Sequence, residues 1–176
     1  MRQQLKFGRR NDIPKSIGVL IIGLTILLGC VQKSTSYPDT MPNDFNFVLD
    51  VGHSSYVLDT YNNKLTKAID WELDTTISYQ LPLNERQRIY KILKNIDIYK
   101  YPENYAPTST VTILPTAPYV FEFTLNGVDS KINWEENTES ETKDAKELRK
   151  LFFEVVSTFE KDGRVKSLPE SKRAFL

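Results

Sequence analysis

The chain has 176 residues with 23 basic and 23 acidic side chains, so it carries no net charge at neutral pH. That balance offers no electrostatic footprint for nucleic acid, and a single Cys and a single His argue against a disulfide framework or a Cys/His metal centre. Hydrophobic residues make up 40% of the total, enough for one packed core.

The first thirty residues differ in kind from the rest. Arg2, Lys6, Arg9, Arg10 and Lys15 stand against the one acid Asp12, and an uncharged run from Ile17 to Leu28 follows. A basic stretch, a short apolar run and a small residue, Gly29, are the parts of a secretory signal peptide over residues 1–29. As a helix, the span from Ile17 to Val31 reaches about 22 Å, against roughly 30 Å of bilayer hydrocarbon. Retention of the run as a short membrane anchor is the alternative. Removing residues 1–29 leaves a mildly acidic remainder, 18 basic against 22 acidic side chains.

Residues 30–44 are polar and turn-rich and read as a tether. The globular domain is expected over 45–163. Phe45, Phe47, Leu49 and Val51 alternate with Asn46, Val48 and Asp50, a period of two that predicts a first strand. A second strand is expected over Tyr56–Tyr61, a hairpin turn at Asn62-Asn63, and a third strand over Lys64–Ile69. Ile77, Tyr79 and Leu81 alternate up to Pro82 and predict a fourth.

Asn84 and Gln87 form the pattern of a capping box, and Ile89, Ile92, Leu93 and Ile96 share one helical face. That helix must end by Tyr101-Pro102. The proline-containing stretch 100–118 is long for a connection and leaves room for a short strand at Val111–Leu114. A hairpin follows: Tyr119, Phe121, Phe123 and Leu125 alternate, Asn126-Gly127 turns, and Val128, Ser130, Ile132 and Trp134 return. Ala145, Leu148, Leu151, Phe152, Val155, Val156 and Phe159 make the stripe of a last helix, expected to end at Gly163. Residues 164–176 read as a loosely held polar tail. The order ββββαββα, with strands joined by short turns and helices of one apolar stripe each, predicts an α+β domain: an antiparallel sheet with two helices packed on one face.

Leu27-Leu28-Gly29-Cys30 resembles the lipobox of bacterial lipoproteins. The resemblance implies a diacylglyceryl group on Cys30, and two acyl chains anchor a protein stably where one does not. The implied partner is the membrane, and the implied location its extracytoplasmic face. Gly52, Leu58-Asp59-Thr60, Thr66-Lys67, Thr75-Thr76, Leu83, Ile89-Tyr90, Asp97 and Tyr101-Pro102 are similar to a group of uncharacterised lipoproteins from Gram-positive bacteria. That likeness implies anchoring and no particular chemistry.

Catalytic candidates are sparse. His53 has Ser54, Ser55 and Asp50 near it but no nucleophile elbow or oxyanion loop, so an exposed turn residue is expected. Asp50, Asp59, Asp70, Glu72 and Asp74 are the carboxylates from which a glycosidase-type pair would be drawn. Asp59, Asn62 and Asn63 are oxygen-rich but lack the glycine and distal glutamate of a calcium loop. The acidic group Glu135, Glu136, Glu139 and Glu141 reads as a solvated loop before a helix N-terminus. No phosphate loop or dinucleotide fingerprint is present, so neither cofactor nor metal is expected. Tyr99, Tyr101, Tyr105 and Tyr119, clustered with prolines around the long loop, are the candidate binding surface. The leading expectation is a non-catalytic domain for a protein, peptide or wall component. A carboxylate hydrolase and an inhibitor or immunity-type protein are the alternatives.

Overall fold

In the computed structural model, residues 37–52, 55–107, 118–135 and 142–172 are described. They build seven strands: β1 (Asn46–Val51), β2 (Tyr56–Asp59), β3 (Lys64–Ala68), β4 (Asp74–Ser78), β5 (Asn104–Tyr105), β6 (Pro118–Leu125) and β7 (Val128–Glu135). Two main helices, α1 (Leu83–Ile96) and α2 (Lys143–Glu160), and a short α3 (Gly163–Lys166) accompany them. The sheet order is β4-β3-β2-β1-β6-β7-β5. All pairings are antiparallel except β5 with β7. The fold is therefore α+β, as the sequence pattern predicts.

Register turns the period of two into two faces. Phe47 lies opposite Phe123, Leu49 between Leu58 and Phe121, Leu58 beside Leu65, and Phe121 beside Ile132. These side chains are almost wholly buried and form one continuous apolar face. Both main helices cover it. Tyr90 of α1 packs on Phe45, and Phe152 of α2 touches Tyr119, Phe121 and Trp134 with ring centroids 5.1–5.6 Å apart. Further along α2, Phe159 meets Tyr56 on β2. The helices join through Arg88, which is held by Glu85, Glu154 and Thr158.

Several local expectations are corrected. The turn after β2 has four residues rather than two, with Asn63 alone at positive φ (52°). Thr60 belongs to this turn because its hydroxyl accepts from the Phe47 N–H at 2.7 Å and donates to the Phe47 carbonyl at 2.9 Å. It so completes the end of β1. β4 lies earlier than the Ile77–Leu81 alternation suggests, since its register with β3 runs from Ala68↔Asp74 to Lys64↔Ser78.

Asn84 does not cap α1. Pro82 holds that position two residues earlier with no side-chain bond; it is still extended at φ −55° and ψ 143°, the helix begins at Leu83, and the Pro82 carbonyl accepts from Arg86 N at 3.0 Å. Asp97, at φ 51°, then closes the helix in the left-handed conformation. Gly163 does not end α2. It begins α3, capped by the Asp162 carboxylate, which accepts from Arg164 N at 2.8 Å.

The tail is docked rather than loose over its described part. Val165 is buried, the Arg164 guanidinium lies over the Tyr79 ring, and Lys172 N donates to the Ile69 carbonyl at 2.6 Å. The tether likewise joins the domain from Tyr37 onward. The Tyr37 ring packs on Tyr99, its hydroxyl donates to Asp97 at 2.7 Å, and Tyr90 donates to the Pro38 carbonyl. The Asp44 carboxylate accepts from the N–H groups of Asn126 and Gly127, bracing the β6–β7 turn. The strand expected at Val111–Leu114 lies outside the described residues, while β5 forms earlier in the same stretch, at Asn104–Tyr105.

Candidate functional site

Neither main helix packs on the second face of the sheet. Asn46, Val48 and Asp50 of β1 point there, flanked by Val57 and Asp59 of β2 and by Val120, Glu122 and Thr124 of β6. Asp129, Lys131 and Asn133 of β7 extend the same surface. A cleft of about 920 Å³ opens from it around the uncovered edge of β7, with Tyr99, Tyr101 and Glu103 on the far wall.

One aromatic ring lies across this polar surface. Tyr61, in the turn after β2, reaches over β1 to place its hydroxyl 2.7 Å from Thr124 Oγ1 on β6. Thr124 spends its own proton on Asp129, also at 2.7 Å, so Tyr61 is the donor in the first bond. The ring is thereby held at its far end while 44% of the residue stays exposed. The nearby carboxylates have partners of their own. Glu122 pairs with Lys131 at 2.8 Å and holds its ammonium pKa above the usual range. Asp59 accepts from the Asn62 backbone N–H at 3.0 Å and from its side-chain amide at 2.7 Å. With Glu122 balanced by Lys131, the acids Asp59, Glu103 and Asp129 leave the cleft with an excess of negative charge.

The sequence candidates are distributed as follows. Tyr99 donates to the Leu125 carbonyl and Tyr101 to the Asp144 carbonyl, each at 3.0 Å. Burial pushes both phenols up to about 12, so they act near neutrality as protonated donors. Tyr105 and Tyr119 flank Trp134 in the sheet, and Tyr119 stacks on Phe152 at 5.6 Å. The four tyrosines are thus built into the packing beneath α2 and the Ile98–Lys100 turn, with only Tyr99 and Tyr101 reaching the cleft.

The five carboxylates are not brought together. Asp50 and Asp59 share the open face diagonally across β1 and β2. Asp70 instead shapes the turn before β4, accepting from Glu72 N and Leu73 N at 2.9 and 2.8 Å, with Glu72 and Asp74 beside it. In the oxygen-rich turn, the Asn62 amide is used by Asp59. Among the described residues no group of three or more acids, His or Cys could hold a metal ion. Cys30, His53, Glu136, Glu139 and Glu141 lie outside the described residues, and Glu135 is exposed at the end of β7.

Sequence reading passed over Tyr61, Thr124 and Lys131. Alternation marks Glu122 and Thr124 as outward-facing, so half of the site had a signal. Tyr61 had none, because its reach to β6 exists only if β1 lies between β2 and β6. No protein family, curated protein or solved structure matches this chain.

Proposed function

We propose that this chain is a lipid-anchored envelope protein, held at the extracytoplasmic face of the membrane through Cys30. Its domain binds a protein, peptide or wall component in the cleft on the open face and catalyses no reaction. The pinned, exposed ring of Tyr61 carries this reading. An aromatic surface held in place by its hydroxyl offers contact area at little cost in side-chain freedom. The acids around it favour a neutral, hydroxyl-rich or amine-bearing ligand and disfavour an anionic polymer. A carboxylate hydrolase needs two acids facing one another across a gap, whereas Glu122, Asp59 and Asp129 are engaged by Lys131, Asn62 and Thr124.

The binding claim is tested with the full chain in detergent, sedimented with isolated cell walls and, separately, captured on immobilised envelope proteins. Tyr61→Ala is expected to weaken retention about tenfold, near 1.4 kcal/mol. Retention equal to the parent would remove the cleft from the proposal. Anchoring is tested separately. Cys30→Ala should abolish incorporation of labelled fatty acid and leave the precursor unprocessed, and a variant labelled and processed like its parent would overturn the lipid anchor.

A further inference from the structure

The sheet ends in two edges that are treated differently. On one side, β5 is two residues long, Pro102 and Pro107 lie close on either side of it, and it covers only Asn133 and Trp134 of β7. Asn133 N donates outward to the Glu103 carbonyl at 2.6 Å. By alternation, Asp129 and Lys131 also direct their backbone groups to that edge, and each brings a charge. Short strands, prolines and charged side chains are the usual means by which edges resist pairing with another chain.

The β4 edge carries little of this protection. Its pairing with β3 is framed by Ile69 N donating to the Leu73 carbonyl and Tyr79 N donating to the Asn63 carbonyl, both at 2.8 Å. Odd-numbered residues in this stretch therefore bond to β3, and Asp74, Thr76 and Ser78 direct their N–H and C=O groups away from the sheet. Five residues, Asp-Thr-Thr-Ile-Ser, form an edge of high strand propensity with no Pro, no Lys and one charge at its end. β4 is the terminal strand of the sheet order.

The flanks of β4 are unusual too. Of the five exposed large hydrophobic residues among the described residues, three sit beside it in sequence: Trp71 (69% exposed), Leu73 (53%) and Leu83 (61%). Trp71 and Leu73 precede the strand and Leu83 follows it. We infer that β4 is the interface of a two-fold dimer, pairing antiparallel with β4 of a second copy about an axis at Thr76.

The sequence is self-complementary in that register. Thr76 faces its own counterpart, Asp74 faces Ser78, and Thr75 faces Ile77, so no like charges meet. The three outward-directed residues become hydrogen-bonded pairs. Thr66 and Thr76 already share a hydroxyl bond at 2.8 Å on the open face, and the two-fold axis extends it into a ladder of four threonines. The axis also brings the exposed Trp71–Leu73 end of one copy alongside the Ser78 end of the other. Two-fold pairing of identical surfaces is the commonest form of oligomer.

Cross-linking tests the register directly. Thr76→Cys in the full-length chain, in native membranes, places two thiols about 5 Å apart across the axis. A short bismaleimide should yield at least tenfold more covalent dimer from it than from Asp129→Cys at the opposite edge or from the parent. Equal yields, or an adduct only with a different protein, would overturn the proposal. In sedimentation of the detergent-solubilised full chain, the parent should carry the mass of two chains and Thr76→Lys the mass of one. A monomeric parent, or a folded Thr76→Lys that remains dimeric, would also overturn it. If Thr76→Lys unfolds, as read by circular dichroism, the cross-linking yields decide.

Discussion

The two faces of the sheet are made by the same strands and do opposite work. On the covered face Phe47, Leu49, Phe121, Ile132 and Trp134 are at most 1% exposed, locked by α1 and α2. On the open face, one residue away along each strand, Val48, Glu122, Thr124 and Lys131 meet solvent or each other in pairs. Alternation concentrates packing energy on one side and leaves the other able to change without unfolding the domain. A binding surface built on such a face inherits its rigidity from the opposite one.

The sharpest test of that division is Phe152→Ala. Phe152 touches Tyr119, Phe121 and Trp134, so truncation removes the contact that joins α2 to β6 and β7. A loss of about 3–5 kcal/mol is expected in urea unfolding, and a loss under 1 kcal/mol would show that α2 does not hold the sheet. Gly127→Val probes the turn from which both faces diverge. Gly127 has φ +74°, and a Cβ there would meet nothing within 4 Å, so the cost is that of the backbone alone. About 1–3 kcal/mol is expected, read as a lower melting temperature. An unchanged midpoint would mean that the turn relaxes away from positive φ. At the other extreme, Lys131→Ala breaks the exposed pair with Glu122 and is expected to leave the unfolding midpoint where it was. A clear fall would give the open face a structural share that its exposure does not suggest.

Much of the domain was legible because local physics settled it. The β6–β7 hairpin could be read from strict alternation around Asn126-Gly127, and both turn residues take positive φ (53° and 74°). The buried stripes of α1 and α2 include most of the residues named from helical spacing. Readings failed where two local signals competed. Pro82 displaced the Asn84 cap, and Gly163 opened a short helix because Asp162 supplied a cap of its own. They failed again where a polar-looking segment held a few side chains that fit the domain, as with Tyr37 and Val165.

By itself the sequence determined the two main helices, the inward side of β1, β4, β6 and β7 and the two-layer class, since each depends on periodicity along a single segment. It also placed the single Cys, Cys30, at the end of an apolar run. Only the tertiary structure decided that β1 lies between β2 and β6, that β5 pairs in parallel with β7, and that β4 is left at an edge. Those decisions brought Tyr61 to Thr124, 63 residues away in sequence, and packed the predicted tyrosines against the core. Strand order is set by which edges find complementary neighbours across the whole sheet, a property that no single segment contains.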